Sequence, residues 1–74
     1  MPLYCPMKKI RFVKDIAVDY WVSRYDEMDT RTFHRGTVVE YAALEKLDAT
    51  HANIHFENND LAVDVPTSAF ESVR

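Results

Sequence analysis

The sequence predicts a mainly β domain, either a small barrel or a strongly curved antiparallel sheet of about four to five short strands. One observation is the alternation of apolar and polar side chains between residues 8 and 23. A second is a pair of alternating segments, residues 52–56 and 61–65, which are separated by turn-forming residues. A period of two is typical of half-buried strands, and closing the sheet into a barrel removes exposed edges.

Residues 8–23 supply the first strands. Six of the seven even positions from Ile10 to Val22 are apolar, and the exception, Lys14, interrupts the pattern. The run is long for one strand, whose usual length is about 5–6 residues. We therefore expect either two strands that break at Lys14–Asp15 or one strongly bent strand, with the even side chains pointing into the core.

The middle of the chain is less regular. Residues 24–36 are polar and show no clear period, which indicates a loop or a ragged hairpin, with Gly36 at a turn of positive φ. The β-branched and aromatic side chains of residues 37–41 predict a strand. Residues 42–48 (AALEKLD) are mostly good helix formers and predict one short helix of about two turns.

The C-terminal part predicts a hairpin followed by a helical turn. Apolar residues alternate with polar ones in residues 52–57, and residues 58–60 (NND) form the turn, since Asn and Asp tolerate left-handed backbone angles. The returning strand, residues 61–65, alternates in the same way. It ends at Pro66, which cannot donate to a strand ladder. A helical turn is expected near residues 67–70.

Length and composition predict an irregular N-terminal tail, residues 1–7, and a single small β domain, residues 8–74. The chain has 47% hydrophobic and 28% charged residues, a mixture typical of globular domains. Met7 stands just before the alternating pattern, which leaves it open as an alternative translation start. Cys5 is the single cysteine, which fits a reducing compartment. Because no apolar run reaches about 18 residues and no secretion signal is visible, we expect a cytoplasmic protein that binds no membrane.

The residues capable of chemistry do not form a catalytic or metal-binding pattern. The spacing of His51 and His55 suits a zinc site on a helix, but the alternation around them indicates a strand, on which they lie about 13 Å apart. Two groups of acidic residues are candidates for acid catalysis, but paired carboxylates need a buried cleft, and in a loop and a hairpin they serve solubility. They are Asp26, Glu27 and Asp29 in the irregular segment and Asp60 and Asp64 in the hairpin. Gly36 is the single glycine, so the sequence has no glycine-rich phosphate loop. We therefore expect a non-enzymatic protein without a metal or other cofactor.

One group of side chains is a candidate for protein recognition. It surrounds the irregular segment and combines Trp, Tyr, Phe and Arg, of which Trp, Tyr and Arg dominate protein–protein hot spots. Its members are Trp21, Tyr25, Arg31, Phe33 and Arg35. It predicts an interaction module whose partner is another protein or a second copy of the chain, which would make it a homo-oligomer. The alternative is that Met28 and Phe33 pin the loop to the core.

A second group predicts binding of nucleic acid. It combines cations with an aromatic ring, as single-strand binding grooves do. Its members are Lys9, Arg11, Lys14 and Trp21. The net charge of −3 argues against a protein dedicated to coating DNA, because phosphate contacts supply most non-specific affinity. Nucleic-acid binding is therefore the alternative to protein recognition, and whether Trp21 lies on the surface or covers the core stays open.

A third interpretation is an acidic decoy that occupies a nucleic-acid-binding enzyme. It requires a continuous negative face formed by Glu45, Asp48, Glu57, Asp60, Asp64 and Glu71.

The order of the predicted elements resembles that of SH3-like small barrels. The likeness rests on the polar loop at residues 24–35, the hairpin at residues 52–65 and residues 65–70 (VPTSAF), which look like the single-turn helix before the last strand of such barrels. Tyr20–Trp21 does not match the aromatic motifs of peptide-binding SH3 domains, so the resemblance does not imply recognition of proline-rich ligands. The compact, cysteine-poor chain also resembles small accessory proteins of phages and prophages. This likeness implies an accessory or inhibitor protein of a mobile element.

Overall fold

The structure, a computed structural model, describes residues 8–73. These residues form eight strands: β1 (Lys8–Phe12), β2 (Ile16–Val22), β3 (Glu27–Phe33), β4 (Val38–Tyr41), β5 (Ala43–Lys46), β6 (His51–His55), β7 (Leu61–Pro66) and β8 (Phe70–Val73). A 3-10 helical turn, Thr67–Ala69, precedes β8. The predicted tail, residues 1–7 with Cys5, lies outside the described residues.

The strands form two antiparallel sheets. The smaller sheet has the order β4-β1-β8, and the larger has the order β3-β2-β7-β6-β5. β1 and β2 follow each other in sequence but belong to different sheets, so the chain passes from one sheet to the other at residues 13–15. The interruption predicted at Lys14–Asp15 is thereby confirmed, in its two-strand form.

The core joins the inner faces of both sheets. Ile10 and Phe12 contribute from β1, and Val18 and Tyr20 contribute from β2, so these even-numbered side chains point inward as predicted. Phe33 stacks on Phe12, with ring centroids 4.4 Å apart and ring planes at 6°. The rest of the core comes from β6 and β7, namely Ile54, Ala62 and Val65.

Left-handed backbone angles occur where the chain reverses or bends. Asp26 (φ 50°) lies in the turn between β2 and β3, and Asn59 (φ 71°) lies in the turn between β6 and β7. Gly36 (φ 90°) precedes β4 in the positive-φ turn that the sequence predicts. Asp64 (φ 57°) lies within β7, in the stretch where its pairing register with β6 shifts, as at a β-bulge.

The short helix predicted at residues 42–48 is wrong. Ala43–Lys46 form β5, which pairs with β6 along its whole length and is exposed throughout. A helix of about two turns is unstable without tertiary packing. The neighbouring strand supplies hydrogen bonds to an extended backbone instead, and this pairing overrides the helix propensity of Ala, Leu, Glu and Lys.

The irregular segment at residues 24–36 contains a strand. β3 pairs with every residue of β2, from Ile16 opposite Phe33 to Val22 opposite Glu27, so the hairpin alternative describes it better than a loop. Together with β5 and β8 it brings the number of strands to eight, and the prediction of four or five is therefore wrong. The strands form two sheets rather than a closed barrel, so that part of the prediction is not confirmed.

Several other predicted elements are present. The strand predicted at residues 37–41 is β4, the predicted C-terminal hairpin is β6 with β7, and the predicted helical turn is Thr67–Ala69. Within residues 8–73, no helix is long and apolar enough to cross a membrane. The mainly β class is confirmed.

Candidate functional site

A cleft of about 410 Å³ is bordered by residues of both sheets. β2 and β3 of the larger sheet and β4 of the smaller sheet line it, together with residues at the turn between β6 and β7. Its apolar lining consists of Tyr20, Phe33, Val39 and Phe56. Its polar lining consists of Arg31, Glu40, Glu57 and Asn58. The cleft thus combines an aromatic surface with charges of both signs.

The aromatic surface is fixed by packing. Phe33 is 7% exposed and is held by its stack with Phe12. Tyr20 is 4% exposed, and its ring centroid lies 5.7 Å from that of Phe56. Aromatic rings that are already ordered lose little conformational freedom when a ligand binds against them.

Arg31 carries the positive charge of the cleft. Its guanidinium carbon lies 4.0 Å from the centroid of the Tyr20 ring, in a cation–π contact. The hairpin register causes this contact, because Arg31 stands opposite Val18 and so shares the inner face of the sheet with Tyr20. Among the ion pairs within residues 8–73, none includes Arg31. Its charge is therefore available to an acidic group.

Asp60 connects the turn between β6 and β7 to β2. Its carboxylate accepts hydrogen bonds from the Tyr20 hydroxyl (2.8 Å), the Ser23 backbone N–H (3.0 Å) and the Asn58 side-chain amide (3.1 Å). The bond from the Ser23 N–H and then the bond from the Tyr20 hydroxyl hold the pKa of Asp60 below its usual range. Asp60 is 8% exposed, so a buried, ionised and hydrogen-bonded carboxylate fixes the position of Tyr20 in the cleft.

Tyr20 titrates above its ordinary range. Burial of its ring is the first cause, the hydrogen bond to Asp60 is the second, and together they raise the pKa of Tyr20 to about 12. Tyr20 is therefore neutral at physiological pH, and its hydroxyl donates a hydrogen bond to the ionised Asp60 carboxylate.

A smaller cavity of about 320 Å³ adjoins this hydrogen-bond network. Its lining includes Ser23, Tyr25, Asn58 and Asp60. Asn58 lines both cavities, and Tyr25 is 67% exposed. The turn between β6 and β7 therefore lies beside two concave surfaces.

The structure does not place the five predicted contact residues on one face. Arg31 and Phe33 line the cleft. Phe33 also packs on the core, as the alternative interpretation expects, while Met28 is 57% exposed and does not pin the hairpin to it. Trp21 lies on the opposite face of the larger sheet from its neighbour Tyr20, where it is half-buried and stands opposite Met28.

The other predicted contacts lie outside the cleft. Tyr25 is in the turn after β2, and Arg35 is in the turn before β4, where its backbone N–H donates to the Asp15 carboxylate at 2.7 Å. The Trp21 indole N–H donates to Asp26 at 3.0 Å and so attaches Trp21 to the same turn as Tyr25. The structure therefore does not bring the five residues together into one patch.

The residues of the predicted nucleic-acid face do not form one basic surface either. Arg11 forms an ion pair with Glu71 at 3.1 Å, and Lys9 stands opposite Glu40 in the pairing of β1 with β4. Lys14 lies in the connection between the sheets, and Trp21 belongs to the larger sheet, whereas Lys9 and Arg11 belong to the smaller one. Acidic neighbours thus offset much of the positive charge on β1.

His51 and His55 lie at the two ends of β6, as the strand prediction requires. The His55 Nε2 atom is 2.9 Å from Glu45, and the His51 Nδ1 atom is 3.5 Å from Asp48. The contact with His55 is the first cause that lowers the pKa of Glu45, and the hydrogen bond from the Thr50 backbone N–H is the first that lowers the pKa of Asp48. In the described part of the chain, no group of three or more His, Cys, Asp or Glu side chains could hold a metal ion.

Not all six acids that the acidic-decoy interpretation requires lie unpaired at the surface of the described residues. Glu45 and Asp48 are each paired with a histidine, Asp60 is buried, and Glu71 is paired with Arg11.

Most of the cleft is not evident from the sequence. Alternation predicts that Tyr20 points inward, but it does not show that Phe56 and Val39 approach it from other parts of the chain. Asp60 belongs to a run that predicts a turn, and nothing in that run indicates a buried carboxylate. The cation–π contact of Arg31 with Tyr20 depends on the register between β2 and β3, which the sequence does not show.

Comparisons with known proteins do not assign this site to a family. The chain matches no family model, no curated protein and no solved structure.

Proposed function

We propose that this chain is a non-enzymatic protein-interaction module that binds a segment of a partner protein in the cleft between its sheets. The observation that carries the proposal is the arrangement of Arg31 over the buried Tyr20 ring, next to Phe33 and Phe56. Arg and aromatic side chains are the types that contribute most to protein interfaces. The cleft volume of about 410 Å³ falls within the usual range of binding pockets.

The chemistry of the lining defines the kind of segment that fits. A large apolar side chain packs against Phe33 and Phe56, and an acidic group pairs with Arg31, which lacks an ion-pair partner among the described residues. Glu40 on β4 favours a cation elsewhere in the same segment. The expected ligand is therefore an extended peptide with one anchoring apolar residue and flanking charges.

Glu45, Asp48 and Asp60 are not suited to act as general acids near neutral pH. Acid catalysis near neutral pH uses a carboxyl group whose pKa is raised. The shifts found for Glu45, Asp48 and Asp60 all lower the pKa, because hydrogen bonds stabilise the ionised forms. These three groups therefore remain anions and are suited to holding structure and placing charge.

The broader context of the module remains part of the proposal. The SH3-like layout and a role as an accessory or inhibitor protein of a mobile element are predictions from the sequence. A cytoplasmic location is likewise a prediction.

Nucleic-acid binding through Lys9, Arg11, Lys14 and Trp21 is the weaker alternative. The pairing of Arg11 with Glu71 and the position of Lys9 opposite Glu40 weigh against it. A titration with single-stranded oligonucleotides at low salt tests it. We expect no binding, and binding that weakens steeply with added salt would favour the alternative.

The cleft proposal is tested by affinity capture with two matched variants. Arg31→Ala removes the cation of the cleft, whereas Arg35→Ala removes an exposed arginine outside it. Proteins captured from the native host by the immobilised chain are compared by mass spectrometry. We expect the specific partner to be lost with Arg31→Ala and retained with Arg35→Ala. Equal capture by both variants would show that the cleft is not the binding site.

A further inference from the structure

β3 is an open edge of the larger sheet. Within residues 8–73 it pairs with β2 alone, whereas β2 has a second neighbour in β7. β3 has seven residues, and all of them except Phe33 are exposed. The other edge strands, β4, β5 and β8, have four residues each. A long exposed edge presents a row of backbone N–H and C=O groups to which another strand can pair.

Thr30 shows which backbone groups face this edge. Its N–H donates to the Asp29 carboxylate at 2.8 Å, which places that N–H on the side of the strand away from β2. Alternate residues of a strand direct their backbone groups to the same side, so Met28 and Thr32 face the edge as well. The edge is thus capped at its centre by an exposed side chain that an incoming strand can replace.

The side chains of β3 are complementary to a second copy of the same strand. The sequence from Glu27 to Phe33 is EMDTRTF, with an acid and a base placed symmetrically about Thr30. If two copies align antiparallel about Thr30, Asp29 of each copy stands opposite Arg31 of the other. Met28 then stands opposite Thr32, and the two Thr30 side chains face each other. Pairs of opposite charge and Thr–Thr pairs both stabilise antiparallel strands.

We infer that two copies of this chain form a homodimer by antiparallel pairing of their β3 strands about a two-fold axis at Thr30. The pairing joins the two larger sheets into one continuous sheet, and it makes the same contacts twice, as two-fold interfaces do. It also covers the exposed edge of a small domain.

Charge favours the register with its axis at Thr30 over the two registers shifted by one residue at the axis. An axis at Asp29 places two aspartates directly opposite each other, and an axis at Arg31 places two arginines opposite each other. Like charges in directly opposite positions destabilise a strand pair. The self-complementary pattern also favours a second copy of the chain over an unrelated peptide as the occupant of this edge.

Reciprocal charge exchange tests both the dimer and its register. In a homodimer, Asp29→Arg places the introduced arginine opposite the other copy's Arg31, and Arg31→Asp places the introduced aspartate opposite the other copy's Asp29. A mixed dimer of the two variants instead places each arginine of one chain opposite an aspartate of the other. We expect each variant alone to raise the dimer dissociation constant by roughly 30-fold or more, and an equimolar mixture to restore dimers.

The measurement is sedimentation equilibrium of the full chain over a wide concentration range, with no partner added, against a monomer mass of 8.6 kDa. Glu45→Arg is the control, because it makes the same charge reversal on β5, the opposite edge of the same sheet. We expect it to dimerise like the unaltered chain. Circular dichroism verifies that each variant is folded.

Three results would overturn the inference. They are a chain that stays monomeric at every concentration, a dimer that Asp29→Arg does not weaken, and a mixture of the two variants that stays monomeric. Thr30→Pro provides a second test if a charge variant does not fold. It removes the outward N–H of Thr30, which an edge strand tolerates, and we expect loss of the dimer with the fold retained. Arg31 also lines the cleft, but Asp29→Arg and Thr30→Pro alter residues outside the cleft lining, and the readout is mass with no ligand present, so failure of the dimer and failure of the cleft proposal are distinguishable.

Discussion

The two long hairpins of this protein differ in where they lie in the larger sheet. β6 and β7 lie inside the sheet with a neighbour on each side, and Ala52, Ile54, Ala62 and Val65 are at most 1% exposed. In the other hairpin, β2 is similarly enclosed, but β3 forms the edge and buries Phe33 alone. β6 and β7 therefore contribute more buried side chains to the core than β3 does, while β3 keeps most of its side chains available for contacts with other molecules.

The two turns show the same contrast. Asp60, at the end of the turn between β6 and β7, is buried and accepts hydrogen bonds from three residues of two segments. Asp26, in the turn between β2 and β3, is exposed and accepts one from the Trp21 indole. One turn is thus attached to the body of the domain, and the other is attached mainly to its own hairpin.

The largest expected effect compares one apolar residue from each hairpin. Ile54→Ala removes a fully buried side chain of β6 and should lower the free energy of unfolding by about 2–5 kcal/mol. Met28→Ala removes an exposed side chain of β3 and should change it by about 0.5 kcal/mol. Urea unfolding at low protein concentration measures both. Similar losses for the two variants would contradict the contrast between the hairpins.

The second prediction concerns the turn carboxylates. Asp60→Asn should lower the urea midpoint at neutral pH more than Asp26→Asn does, because the Asp60 carboxylate is ionised, buried and multiply bonded. The pKa of Asp60 is lower in the folded state than its ordinary value of 3.8, so its stabilising effect is fully present above about that pH. It is lost as the pH falls through the lowered pKa. The difference in urea midpoint between the unaltered chain and Asp60→Asn should therefore become smaller in acid. A difference that grows as the pH falls would refute this role.

The third prediction is a loss of stability in alkali. The pKa of Tyr20 is raised from 10.0 to about 12 in the folded state, so its stabilising effect is complete below pH 10 and disappears as the pH rises to about 12. Tyr20→Phe should lose about 1 kcal/mol at neutral pH through the missing hydrogen bond to Asp60. Its free energy of unfolding should also fall less than that of the unaltered chain between pH 10 and about 12, because the variant has no Tyr20 hydroxyl to ionise. Parallel unfolding curves for both proteins between pH 9 and pH 12 would show that Tyr20 does not titrate in this way.

The smallest expected effect is that of Trp21→Ala on partner capture. Trp21 lies on the face opposite the cleft, so the variant should fold and should retain the partner that Arg31→Ala loses. Circular dichroism and affinity capture test both parts. Loss of capture with the fold intact would place the binding surface on the outer face, with Trp21 as a contact residue.

Local sequence patterns determined the mainly β class, the interruption after β1 and the hairpin of β6 and β7. Apolar and polar residues alternate wherever one face of a strand packs on the core, as they do from Ile10 to Val22, and the alternation indicates which side is buried. The turn residues around Asn59 are equally local, because left-handed backbone angles depend on the residue itself. These features could be predicted because each is set by neighbours in sequence.

Tertiary structure decided the identity of β3 and β5 and the formation of the cleft. β3 lacks alternation because six of its seven residues are exposed, so neither face of the strand requires a row of apolar side chains. Residues 43–46 have good helix formers, yet pairing with β6 makes them a strand. The contacts of Tyr20 with Arg31 and Asp60 join residues 11 and 40 positions apart. Such contacts depend on strand register and sheet packing, which short-range patterns do not encode.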